Sequence, residues 1–163
     1  MKSIYLVLFS TWIISCSAPI NKEEQEFTQG EKAVVLLLSK KITQKLKVWK
    51  PSSEDLEIVK EVLANAVIDG EFDFLKEPKL ESIFNYYYRQ YIPFIDEDGD
   101  RMIEVNAFCD SIYKEELKRN PDREPLNWKE HYVMFLDGGS CFWNIIINID
   151  KKTYANMQVN GQA

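Results

Sequence analysis

The spacing of apolar residues changes near Tyr88, and this change constrains the fold more than any other feature of the chain. Upstream of Tyr88, apolar residues recur at three- and four-residue intervals, which is the period of a helix that buries one face. From Tyr88 onward they recur every second residue, which is the period of a strand. Because helices precede a run of strands, we predict an α+β fold, with two N-terminal helices packed on an antiparallel sheet of about four to six strands.

The clearest helix is predicted over PSSEDLEIVKEVLANAVIDG (51–70). Ser52 or Ser53 can cap its N-terminus, and Gly70 can end it. Its apolar stripe consists of Leu56, Val59, Leu63, Ala66 and Val67. A second helix is expected after Pro78, with a stripe formed by Leu80, Ile83, Phe84 and Tyr87.

The alternating and continuous apolar runs predict the strands. They are AVVLLL (33–38), YRQYIPFI (88–95), RMIEVNAFC (101–109), HYVMFLD (131–137), CFWNIIINI (141–149) and TYANMQV (153–159). The Asp98-Gly99 step predicts a hairpin between the second and third of these runs. Pro93 cannot donate a backbone hydrogen bond, so its strand should lie at an edge or carry a bulge there. Residues 110–130 are a charged connection in which a helical turn could form.

The N-terminus has the organisation of a secretory signal. Lys2 precedes the apolar run IYLVLFSTWII (4–14), which is shorter than the roughly 20 residues of a membrane-spanning helix. The sequence IISC (13–16) resembles the lipobox of bacterial lipoproteins. That resemblance implies cleavage before Cys16, attachment of a diacylglycerol to its thiol, and acylation by fatty acids such as palmitate. The alternatives are an ordinary signal peptide with an unrelated cysteine, or a buried strand.

These features divide the chain into three parts: a lipoprotein signal peptide (1–15), a flexible tether (16–31) and a single α+β domain (32–163). The tether is polar and acidic, a composition that cannot bury a core. Ser17 stands where an Asp would retain a lipoprotein at the inner membrane. We therefore expect a cell-envelope protein anchored by lipid, at the periplasmic or surface face of the outer membrane.

Charge and motif spacing disfavour several functions. The formal net charge is −6, and phosphate binding requires clustered Lys and Arg, so nucleic acid is not an expected partner. The loop DEDGD (96–100) does not match an EF-hand, because Gly99 is fourth from Asp96 and the motif requires glycine at the sixth position. No metal or cofactor is therefore predicted.

Cys109 and Cys141 remain after signal removal, and each shares a strand face with apolar residues. An oxidising compartment favours a disulfide between them, while the alternative is two separate buried thiols. A second alternative is an envelope enzyme with Cys141 as nucleophile, His131 as base and Asp137 orienting the histidine. We expect a non-enzymatic binding or structural module and assign no catalytic residue.

The run YYYRQY (86–91) contains a candidate binding surface. Tyr86, Tyr88 and Arg89 are the residue types enriched at interaction hot spots, whereas Tyr87 and Tyr91 are expected in the core by helical spacing. An envelope protein or a glycan is the expected partner at such a surface.

Four segments resemble a family of uncharacterised Gram-negative lipoproteins with a lipobox signal peptide and a small α+β domain. They are WKPSSEDL (49–56), YRQYIPFIDEDGDRMIEVNAFC (88–109), DGGSCFWN (137–144) and VNGQA (159–163). The resemblance implies the fold and the envelope location. It implies no reaction.

Overall fold

The computed structural model describes residues 32–37, 47–119 and 127–161. The predicted signal peptide 1–15, Cys16 and the predicted tether 16–31 lie outside the described residues. The elements are β1 (Ala33–Val35), α1 (Ser53–Ile68), α2 (Leu80–Tyr86), β2 (Tyr87–Ile95), β3 (Arg101–Cys109), α3 (Asp110–Arg119), a 3-10 turn (Gly139–Cys141), β4 (Phe142–Asn148) and β5 (Thr153–Val159). The α+β class is therefore confirmed.

The five strands form one sheet in the order β1-β2-β3-β4-β5. Strands β2 to β5 pair antiparallel, but β1 pairs parallel with β2, with Ala33 opposite Arg89. The prediction of a purely antiparallel sheet is wrong, because the long connection containing α1 and α2 lets the chain cross over and return in the same direction. The predicted order also needs correction, since β1 precedes both helices and α3 lies between β3 and β4.

The N-terminus of α1 is closed by a capping box and tied to the sheet. The Ser52 hydroxyl accepts a hydrogen bond from the backbone N–H of Asp55, whose carboxylate accepts one from the backbone N–H of Ser52 at 2.8 Å. The same carboxylate contacts the Arg101 guanidinium at 2.8 Å, at the start of β3. Gly70 has a φ of +86°, which glycine adopts without strain where the chain leaves the helix.

Helices α1 and α2 cover one face of the sheet and form the larger core. The apolar stripe of α1 is buried, as predicted, except that Val67 is only partly so. The sheet contributes residues that alternate along β2, β3 and β4: Tyr91, Ile103, Val105, Ala107, Trp143, Ile145 and Ile147. Tyr87 and Tyr91 are buried as expected, but strand alternation rather than helical spacing puts them there.

The β2–β3 hairpin turns at residues 96–100, as predicted. Gly99 adopts a φ of +92°, and its backbone N–H donates to the Asp96 carbonyl at 3.2 Å. The Asp96 carboxylate accepts the backbone N–H groups of Asp98 and Asp100 at 3.0 and 2.9 Å. The Asp96 side chain thus stabilises the turn that the Asp98-Gly99 step predicts.

Pro93 lies in β2, which has a neighbour on each side. The backbone N–H groups of Arg89 and Ile95 point away from β3, towards Lys32 and Lys47, so the missing N–H of Pro93 faces that side too. The described β1–β2 ladder ends at Tyr91. The prediction of an edge strand or a bulge is therefore wrong: β2 is internal and its register with β3 is unbroken, and among the described residues no acceptor lies opposite the missing N–H of Pro93.

The second face of the sheet is covered by segment 127–135, which has no regular secondary structure. The prediction of a strand over 131–137 is therefore wrong. Its alternating pattern has another cause: Val133 and Phe135 face the sheet, while Met134 is 70% exposed. The segment crosses the sheet face, and its Trp128 joins Tyr88, Phe108 and Phe142 of the strands in one aromatic cluster.

Two buried carboxamides replace the ladder hydrogen bonds that this segment lacks. Gln90 is fully buried; its Nε2 donates to the carbonyls of Trp128 and His131 at 2.5 and 2.7 Å. Its Oε1 accepts from the Val133 N–H at 3.0 Å and from Asn106 Nδ2 at 2.9 Å. All four hydrogen-bonding positions of the Gln90 amide are therefore used. Asn106 also donates to the Val133 carbonyl at 2.8 Å.

Leu63→Ala should lower the free energy of unfolding by about 2–5 kcal/mol, because it leaves a cavity under α1. Ile68→Ala on the same helix is the control; Ile68 is 81% exposed, so its loss should change stability by less than about 0.5 kcal/mol. Denaturant unfolding measures both variants. Equal stability of Leu63→Ala and wild type would contradict the buried face of α1.

Gln90→Glu should destabilise the domain by about 3 kcal/mol or more at neutral pH, because a buried carboxylate would face two carbonyl oxygens. Burial raises the pKa of such a carboxyl, so the deficit should shrink on acidification as the proton returns. Gln158→Glu, on exposed β5, is the matched control and should stay near wild type. If both variants unfold alike at every pH, the amide does not hold segment 127–135.

Candidate binding cavity beside the disulfide

Cys109 and Cys141 form a disulfide, so this prediction is confirmed. Cys109 ends β3 and Cys141 ends the 3-10 turn before β4, and their Cα atoms are 4.9 Å apart. Both pack against the larger core, as the strand alternation indicated. The Ser111 hydroxyl lies 2.9 Å from Cys109 Sγ. The bond fixes the turn to the end of the sheet.

The nucleophile of the catalytic alternative is part of the disulfide. Cys141 Sγ is bonded to Cys109 and therefore supplies no free thiolate. His131 is exposed, and its backbone carbonyl is a partner of Gln90.

A cavity of about 330 Å³ lies at the same end of the sheet. Its walls come from the turn after α1, from α2, from the start of β2 and from the disulfide region. Lining residues include Phe74, Leu75, Ser82, Tyr86, Tyr87 and Ser140. Cys109 also lines it. Of the predicted site residues, Tyr86 and Cys109 are thus brought together, whereas Ser82 and Ser140 carried no signal in the sequence.

The cavity contains polar groups with distinct hydrogen-bonding capacities. Ser82 is 9% exposed, and within the described ranges its hydroxyl has no hydrogen-bond partner. The Tyr87 hydroxyl donates to the Ser140 carbonyl at 2.7 Å. Burial raises the pKa of Tyr87, and interaction with the Trp143 side chain partly opposes that shift. Tyr87 is therefore a neutral phenol at physiological pH.

Tyr86, Tyr88 and Arg89 do not form one surface. Tyr86 is 65% exposed, whereas Tyr88 stacks on Phe108 on the opposite sheet face with ring centroids 5.3 Å apart. Arg89 is 5% exposed, and its Nη1 donates to the carbonyls of Ile83 and Phe84. It thereby caps the C-terminus of α2, a position where a cation is favoured. Of these three predicted surface residues, Tyr86 alone is mostly exposed to solvent.

Comparisons with protein-family models, curated proteins and solved structures found no match. In the part of the chain that the structure describes, no helix is long and apolar enough to cross a membrane. In the same part, no cluster of His, Cys, Asp and Glu side chains is arranged to hold a metal ion.

Reduction of the Cys109–Cys141 bond should lower the free energy of unfolding by roughly 3–4 kcal/mol, because the bond restricts the unfolded chain across a sequence separation of 32. Unfolding with and without reductant measures the effect. The double variant Cys109→Ala/Cys141→Ala is the control, and reductant should not alter its stability. Recovery of free thiols at both positions from oxidised protein would contradict the pairing.

Proposed function

We propose that this chain is a lipid-anchored protein of the Gram-negative envelope that binds a ligand without catalysing a reaction. The signal peptide 1–15 is removed, and Cys16 carries the acyl chains. Residues 16–31 tether the domain 32–163 to the outer membrane. Two or more acyl chains give stable anchoring, whereas one chain binds a membrane only marginally.

The disulfide is the observation that carries the proposal. Disulfides persist in oxidising compartments and are rare where thiols are kept reduced. The Cys109–Cys141 bond therefore supports export, which is also what the segment preceding Cys16 indicates. Export and a lipobox together favour a lipoprotein over a secreted protein with an unrelated cysteine.

The chemistry of the cavity favours binding over catalysis. Its hydroxyl groups, Ser82, Tyr86 and Tyr87, accompany aromatic rings and the exposed pair Lys76 and Glu77. A serine nucleophile would need an adjacent base. The single histidine of the sequence is His131, whose backbone lies over the face of the sheet opposite the helices. Among the described residues, none of these hydroxyls is hydrogen-bonded to a basic side chain, and the Glu77 carboxylate is paired with Lys79 at 3.6 Å. The hydroxyls and rings are therefore arranged to orient a ligand rather than to activate a nucleophile.

Cys16→Ser should abolish incorporation of labelled palmitate in a Gram-negative host, because no thiol remains for the diacylglycerol. Ser17→Ala is the matched control, since it leaves the lipobox intact and should incorporate label like wild type. Incorporation is the deciding measurement, because an uncleaved signal could retain the Cys16→Ser chain in membranes. Wild-type labelling of Cys16→Ser would overturn the proposal.

A further inference from the structure

We propose that the cavity beside the disulfide binds a neutral, hydroxyl-bearing sugar ring of an envelope glycan. This inference rests on the proposed binding function and names the class of ligand. At about 330 Å³ the cavity is at the small end of the range for ligand sites, which suits one or two sugar rings better than a folded partner.

Ser82 is the first reason to expect a ligand with hydroxyl groups. The residue is 9% exposed and lines the cavity, and its hydroxyl is reachable by solvent and has no hydrogen-bond partner among the described residues. A ligand that displaces water from this hydroxyl must supply a hydrogen bond in its place, because a polar group left unpaired on burial is costly. A ligand hydroxyl can both donate to and accept from Ser82.

Tyr87 determines whether the ligand must donate or accept a hydrogen bond at a second contact. Its proton is already donated to the Ser140 carbonyl, so the phenol oxygen can only accept from a ligand. The ligand must therefore offer an O–H or N–H donor at this point. Sugar hydroxyls and acetamido groups do so, whereas a carboxylate or phosphate ester oxygen does not.

Tyr86 and the charged residues of the lining also favour a neutral sugar. The exposed Tyr86 ring offers a flat face that is apolar with a polar edge, which suits the C–H face of a sugar. Lys76 and Glu77 line the cavity with opposite signs, and the Glu77 carboxylate is paired with Lys79 at 3.6 Å, so the lining itself carries no net charge to select an ionic ligand. An anionic headgroup is usually bound by clustered basic side chains, which this lining does not contain.

The test is an NMR titration of the full chain in micelles of a non-glycosidic detergent. The probes are the β-1,4-linked disaccharide of N-acetylglucosamine, as in cell-wall polymer, and a neutral hexose disaccharide, as in the saccharide part of a glycolipid. Saturable shifts of the amides of residues 74–77, 82, 86 and 87 are expected with at least one probe, and the stronger probe identifies the source.

Two variants locate the site. Ser82→Ala should raise the dissociation constant about three- to tenfold, as expected for one hydrogen bond. It should leave the melting temperature unchanged, because the hydroxyl has no described protein partner. Tyr86→Ala should raise the constant at least as much, and Tyr86→Phe should restore most of the affinity. Ser53→Ala, a partly exposed serine on α1, is the matched control.

Three results would overturn the proposal: no saccharide shifts the cavity residues, Ser82→Ala and Tyr86→Ala bind like wild type, or a tripeptide saturates the cavity while both saccharides fail. These failures are distinguishable from failure of the proposed lipoprotein function. Palmitate incorporation at Cys16 is measured independently of any saccharide, and a chain without lipid can still be titrated.

Discussion

The buried carboxamides of Gln90 and Asn106 hold segment 127–135 over the second face of the sheet, and the fold depends on this cover. Strands β2 and β3 are internal, so both of their faces must be shielded from water. Helices shield one face and satisfy their own backbone groups. The segment on the other face has no ladder of its own, so its N–H and C=O groups need side-chain partners. Two amides at opposed positions of neighbouring strands provide them.

This arrangement explains which parts of the fold the sequence predicts. The first helix, the 96–100 hairpin and β5 are confirmed because caps, apolar period and an Asp-Gly step are local signals. The parallel direction of β1 and the irregular path of 131–137 depend on distant partners. Arg89 and Gln90 are adjacent polar residues within a strand, and polar residues in strands usually face solvent. Both are nevertheless buried, since Gln90 binds segment 127–135 and Arg89 caps α2.

The candidate site shows the same division between local and distant signals. The pairing of Cys109 with Cys141 was predictable as one of two alternatives, because both cysteines lie on apolar strand faces. The cavity was not predictable, because its walls come from segments far apart in the chain that the sheet and the disulfide bring together. Ser82 is an ordinary helix residue in the sequence, and only the fold places it in the wall of the cavity.

The central claim is that a disulfide-containing binding domain is displayed from a membrane by a lipid on Cys16. Intact-mass analysis with peptide mapping, on protein isolated from native envelopes without reductant, tests it most directly. The account predicts an N-terminus at Cys16 carrying a diacylglycerol and an amide-linked acyl chain, with residues 109 and 141 recovered as one cross-linked peptide. An unmodified Cys16, or a chain that still begins at Met1 in the mature envelope fraction, would contradict it.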